Sequence, residues 1–301
     1  MDNSFILNKV DLKNWDWAVS HACVPTTLEF SKFYRIYFSP RNNKGQSIPV
    51  YVDIDKETFS IIKYGNPIIS LGELGTFDDG GIMPCSVVRF HNKIYLYYVG
   101  WNPSVSVPYR NSIGLMVSKD NGKTFSRPFK GPVIDRNLNE PYFTASPCVI
   151  IQDGKFKIWY ASSTGFIKTE NGPSPLYHIK YAESNDGINW ERNNISCILP
   201  TYYGECTARP SVIYEDNLYK MWYCYRGSLD YRDGFDSYQI GYAESQDGIS
   251  WVRKDDEINI PTNQYNTKMK CYPNILKTST DTLLFYNGNS FGEDGILVTK
   301  I

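Results

Sequence analysis

Arg209-Pro210-Ser211-Val212-Ile213, followed by Trp222-Tyr223, is one copy of a unit that returns five times along the chain. The other copies open on Val24-Pro25, Met83-Pro84, Ser146-Pro147 and Tyr272-Pro273, each leading into an apolar run. The five prolines lie 59, 63, 63 and 63 residues apart. A paired aromatic follows every one at the same period: Tyr37-Phe38, Tyr97-Tyr98, Trp159-Tyr160, Trp222-Tyr223 and Phe285-Tyr286. Repetition at this length marks an architecture in which each unit buries its face against its neighbours. The units predict four-stranded antiparallel sheets at about residues 20–70, 83–134, 146–199, 209–260 and 272–301, forming an all-β, five-bladed propeller as one domain over 1–301.

Three units carry a matched turn after their third strand: Ser118-Lys-Asp120-Asn-Gly122, Ser184-Asn-Asp186-Gly187 and Ser245-Gln-Asp247-Gly248. Glycine accepts the positive φ of a tight hairpin, and aspartate satisfies nearby backbone N–H groups, so these acids read as turn formers. The last unit stops after its third strand, Gly295 to Ile301. The spare strand Ser4 to Val10 is expected to complete it and to remove an exposed sheet edge. Long loops are expected after the second strands, over Trp101–Arg110, Thr164–Pro175 and Arg226–Asp236.

Composition narrows the partners. A net charge of -1 and a pI near 6.3 provide no field to gather phosphate backbones or anionic lipid, so neither nucleic acid nor membrane insertion is expected. The N-terminal residues lack the pattern of a secretory signal, which predicts a cytoplasmic protein. Seven cysteines, odd in number and without a C-x-x-C pair, predict reduced thiols rather than a zinc site or disulfide framework. No metal or cofactor is expected.

Antiparallel pairing puts the starts of the first strands and the ends of the second strands on one face, and the Asp-Gly turns on the other. Five residues before the prolines of blades two and four stand Asp79 and Glu205; Asp78 and Glu140 lie near the same rim. Carboxylates facing cations around one mouth separate their pKa values and supply an acid and a base, as glycosidic cleavage requires. Glu205 is the expected general acid and Asp79 the base or nucleophile, with Glu140 a further catalytic candidate. Substrate binding is assigned to Arg209, Lys270, Arg226, Arg41, His21, Asn102 and Asp78, with Trp101 and Tyr142 available to stack on a sugar ring.

Through its Pro-x-Val-Ile, Trp-Tyr and Ser-x-Asp-Gly-x-x-Trp units the chain resembles the five-bladed propeller superfamily of arabinanases, invertases, levansucrases and mannoside phosphorylases. Glu205-Cys206 is similar to the Glu-Cys pair of the invertase group, and Phe77-Asp-Asp-Gly-Gly81 to its blade-two segment. The resemblance implies a carbohydrate substrate and glycosyl cleavage or transfer. It also implies an Asp beside the first inner strand, where this chain has Ser20-His21-Ala22-Cys23-Val24-Pro25. Two functions follow as expectations: an enzyme acting on an intracellular oligosaccharide or glycan-assembly intermediate, or a propeller that binds carbohydrate without turning it over.

Overall fold

The computed structural model describes residues 4–170, 172–232 and 234–301. Strand β1 (Ser4–Asn8) precedes blade one, which comprises β2 (Ser20–Glu29), β3 (Phe33–Arg41), β4 (Val50–Asp55) and β5 (Ile61–Tyr64). Blade two contains β6 (Gly81–Phe90), β7 (Lys93–Pro103) and β8 (Tyr109–Ser118). Blade three contains β9 (Thr144–Gln152), β10 (Lys155–Thr169), β11 (Gly172–Ser184) and β12 (Glu191–Ile198). Blade four has β13 (Cys206–Glu215), β14 (Leu218–Arg226), β15 (Gln239–Ser245) and β16 (Val252–Arg253); blade five has β17 (Cys271–Lys277), β18 (Thr282–Asn287) and β19 (Gly295–Lys300).

Every strand pairs antiparallel with its neighbour, and β1 pairs with β19, so the start of the chain supplies the outer strand of the last blade. In blade two the fourth strand is reduced to two bridges, Ile113 to Ile134 and Val117 to Ser126. Two of the three expected loops are instead extensions of the sheet. β7 and β8 pair out to Pro103 and Tyr109, and β10 and β11 out to Thr169 and Gly172.

The apolar alternation of each strand is buried against the next blade rather than within its own. Tyr37, Tyr51 and Ile68 of blade one pack with Ile82, Leu96 and Tyr98 of blade two. Further clusters join blade two to three, three to four, four to five, and five back to one. Blades therefore have no separate cores, which is why the repeat specifies a ring.

Two repeated hydrogen bonds stitch that ring. Near its axis, a small polar side chain just after a repeat proline accepts an inner-strand N–H from the following blade. Val149 donates to Ser86 Oγ at 2.8 Å, Val212 to Cys148 Sγ at 3.2 Å, Ile275 to Ser211 Oγ at 2.8 Å and Thr27 to Asn274 Oδ1 at 2.8 Å. Further out, the first aromatic of the pairs in blades one to three donates to the glycine carbonyl of the next blade's turn. Tyr37 Oη reaches Gly122 O at 2.9 Å, Tyr97 Oη reaches Gly187 O at 2.9 Å and Trp159 Nε1 reaches Gly248 O at 2.7 Å. Asp247 holds its turn by accepting Ser250 N and Ile249 N, and these bonds keep its pKa down to about 2. The acids thus shape turns whose glycine carbonyls receive the neighbouring blade's aromatic.

All seven cysteines are buried, and no disulfide joins them. Among the described residues no helix is long and apolar enough to cross a membrane.

Candidate functional site

The residue before each repeat proline lies at the mouth of the ring. Val24, Met83, Ser146, Arg209 and Tyr272 all line one cavity of about 510 Å³. Four of them have left-handed backbone, with φ of 61° at Val24, 49° at Ser146, 51° at Arg209 and 56° at Tyr272. Proline disfavours the right-handed region for its predecessor, and a non-glycine residue at positive φ stores roughly 1–3 kcal/mol that the surrounding sheet must overcome. The strand pairing slips next to each of these positions, which breaks the two-residue alternation there.

Blade four contributes Arg209, only 1% exposed, which spans the ring. Its Nη1 donates to Cys85 O at 2.5 Å, and its Nη2 to Pro25 O at 2.9 Å and Thr26 Oγ1 at 3.3 Å. Its Nε has no partner. Cys85 lines both this cavity and a smaller one of about 360 Å³ further along the inner strands.

His21 and Arg41 bring further nitrogen groups from blade one, and Arg232 does so from the blade-four loop. Aromatic rings form much of the wall, including Trp101, Tyr109, Tyr177, Tyr238 and Phe291. Arg226 stands behind that wall at 1% exposure. Its Nε donates to Tyr177 Oη at 2.8 Å and Tyr238 Oη at 3.2 Å, and its guanidinium lies 4.0 Å from the centre of the Tyr231 ring. It is a buttress for three tyrosines rather than a direct ligand. Asn111, also lining the cavity, has a buried Oδ1 with no partner.

The carboxylates expected at this mouth are elsewhere. Asp78, 0% exposed, accepts Arg127 Nε at 2.7 Å and Tyr98 Oη at 2.9 Å. Glu140, 1% exposed, accepts Arg192 Nε at 3.1 Å and Tyr160 Oη at 3.0 Å. Glu205, 3% exposed, is gripped by both terminal nitrogens of Arg253 at 2.9 Å and by Thr201 Oγ1 at 3.0 Å. Burial alone would raise the Glu205 pKa, but the bonds from Arg253 and Thr201 outweigh it and hold the carboxyl below its usual range. Each acid fastens the loop entering an inner strand to an arginine further out in the same blade, and none lines the cavity. Blade five has the neutral version, Asn266 Nδ2 donating to Tyr286 Oη at 2.8 Å.

Asp79 also lies outside the lining; it accepts Gly75 N at 2.8 Å through Oδ2, while its Oδ1 is buried without a partner. Lys270 donates to Thr262 Oγ1 at 3.1 Å, Asn102 Nδ2 to Thr76 O at 3.3 Å, and Tyr142 packs edge-on against Phe166. The structure therefore brings together His21, Arg41, Trp101 and Arg209, with Arg226 behind them. It leaves Glu205, Asp79, Glu140, Asp78, Lys270, Asn102 and Tyr142 outside. No Asp or Glu lines the cavity among the described residues.

The Mycobacterium tuberculosis protein described as uncharacterized protein Rv1502 is 33% identical to this chain over 288 residues, spanning 93% of the chain and 92% of that protein. Uncharacterized protein MT1551, from a second strain, matches to the same extent. The chain belongs to the Rv1502 family. No protein-family model matches it. In fold, this Rv1502-family chain is that of the five-bladed glycoside hydrolases. A thermostable family-43 glycoside hydrolase superimposes with a TM-score of 0.70 at 16% identity, over 94% of this chain and 90% of that one. A GH32 β-fructofuranosidase from Bombyx mori, solved with sucrose, gives a TM-score of 0.66 at 13% identity over 93% of this chain and 62% of its own.

Two histidines of this Rv1502-family chain are held neutral. Burial, then Arg41, lowers His21 to about 4; burial, then Lys180, lowers His178 to about 4, although Glu140 opposes it. In the unfolded chain both titrate near 6.5. Between those values the unfolded state binds the proton and the folded state does not, so stability is full above about pH 6.5 and falls as pH drops towards 4. The expected result is a melting temperature that declines from pH 7 to 5, with a shallower decline for His178→Gln. An identical slope in the variant overturns this assignment.

Proposed function

We propose that the chain binds a carbohydrate in the central cavity and does not hydrolyse it by the two-carboxylate route. One observation carries this reading: the five pre-proline positions at the cavity are Val24, Met83, Ser146, Arg209 and Tyr272, with no acid among them. Glycosidic hydrolysis by paired carboxylates needs two such groups about 5–10 Å apart across the scissile bond. Asp78, Glu140 and Glu205 are instead committed to arginines outside the lining, and Asp79 also lies outside it. Carbohydrate is favoured as the ligand by an aromatic-walled hollow of disaccharide scale, and by a fold shared with glycoside hydrolases, one of them solved with sucrose. Seven free thiols suit a reducing compartment.

A glycan array together with a panel of aryl glycosides and sugar nucleotides tests the reading. Retention of particular glycans by the wild type, lost in Trp101→Ala, without release of aglycone or nucleotide, is the expected result. A second reading, glycosyl cleavage or transfer, is favoured by the unpartnered Oδ1 of Asp79. Turnover by the wild type that disappears in Asp79→Asn would establish that reading and reject the first.

A further inference from the structure

Arginines of this protein that are buried or half-buried away from the cavity have carboxylate partners. Arg35 grips Asp53 with Nε at 2.7 Å and Nη2 at 2.8 Å; Arg127 pairs with Asp78, Arg192 with Glu140, and Arg253 with both Glu205 and Asp255. At the cavity the rule reverses. Arg209 and Arg226, each 1% exposed, are bonded only to carbonyl and hydroxyl oxygens. Neither they, nor Arg41 and Arg232 on the lining, form an ion pair with any described carboxylate. Removing a guanidinium from water without a counter-charge costs several kcal/mol. Arg209 and Arg226 are so placed here, with Arg41 half-buried and Arg232 exposed on the lining, in a chain that as a whole carries a net charge of -1.

We infer that the cavity recognises a sugar bearing an oxyanion, a phosphate ester or a carboxylate, whose charge is met by Arg209, Arg41 and Arg232. The unpartnered Nε of Arg209 is a donor already buried at the lining. Arg41 and Arg232 present planar donor forks matched to such oxygens. His21 remains neutral at pH 7 and is therefore an uncharged polar neighbour to the anion. Asn111 Oδ1 is a buried acceptor without a partner, which a sugar hydroxyl would satisfy. This inference rests on the carbohydrate reading and specifies the ligand's charge.

The test combines two measurements on the whole protein. An array displaying neutral, phosphorylated and uronate-bearing glycans is probed with wild type, Arg41→Gln, Arg232→Gln and, as a control outside the cavity, Tyr142→Ala. Separately, inorganic phosphate is titrated while the melting temperature is followed. Charge-assisted bonds of this kind contribute enough that losing one weakens binding about 10- to 100-fold. The expected result is retention on anionic glycans, weakened to that extent in both arginine variants, unchanged in Tyr142→Ala and reduced by salt. Phosphate is expected to raise the wild-type melting temperature and to do so less in Arg41→Gln. Phosphorylated and uronate spots separate the two sources of the oxyanion. Equal or better binding of neutral glycans overturns the inference and leaves the carbohydrate reading standing. Phosphate stabilisation that requires Arg41, with no glycan retained, overturns the carbohydrate reading instead.

Discussion

Replacing Glu140 by Gln lowers the melting temperature by on the order of 10 °C, because it strands Arg192 with no carboxylate in a nearly dry setting. Breaking a buried pair by neutralising one partner costs about 3–5 kcal/mol, since the remaining charge is left uncompensated. Arg192 retains the carbonyl of Asp135 at 2.5 Å, which does not neutralise it. The double variant Glu140→Gln/Arg192→Met should recover much of the loss, because an apolar side chain of similar length needs no counter-charge. Glu205→Gln is expected to cost less than Glu140→Gln, since Arg253 keeps Asp255 at 2.8 Å. Thermal melts of the three variants establish the ranking. A Glu140→Gln protein with wild-type stability but impaired ligand turnover would return this acid to a catalytic role.

Trp159→Ala is the second large effect, at about 3–5 kcal/mol by urea denaturation. Trp159 is 0% exposed, sits 5.4 Å from the ring of Tyr181 and 5.9 Å from that of Tyr219, and carries the bond to Gly248 O. Alanine leaves a void where blades three and four meet. Trp159→Phe keeps most of the volume and removes one of two bonds to the Gly248 carbonyl, which still accepts Trp251 Nε1 at 3.0 Å, for about 0.5–1.5 kcal/mol. If the phenylalanine variant is as stable as the wild type, the indole bond contributes nothing to blade cohesion.

The blades were legible in the sequence because proline, paired aromatic and Asp-Gly turn recur at one period, and each answers to a contact between blades. The site was harder to read. Counting five residues back from the prolines selected charged groups at unequal structural positions, whereas the position immediately before each proline is the one that lines the cavity. The slip in pairing there defeats simple alternation. Arg209 stood at that position and was identified as a ligand-binding candidate. Of its pocket companions, Tyr109 begins a third strand, Tyr177 lies within one and Tyr238 precedes one, and none carries a distinguishing local pattern.

The partners of the acids were hidden for a different reason. Arg127, Arg192 and Arg253 follow Asp78, Glu140 and Glu205 by 49, 52 and 48 residues, a separation that has no meaning until the outer strand is folded beside the inner one. A shorter signal was available. Asp78 to Tyr98, Glu140 to Tyr160 and Asn266 to Tyr286 are all separated by 20 residues, which marks a shared bond to a tyrosine hydroxyl in three blades. An amide in one of those three places points to a structural task, since asparagine supplies no carboxyl proton.

The pairing of β1 with β19 also governs the protein's birth. Phe5, Ile6 and Leu7 leave the ribosome well before Ile296 and Leu297, which will cover them. At usual elongation rates that interval is on the order of 15–60 s. Throughout it the nascent chain trails a greasy, unmatched ribbon next to four blades that have already begun to stack. Ring closure therefore waits until Ile296 and Leu297 have been made.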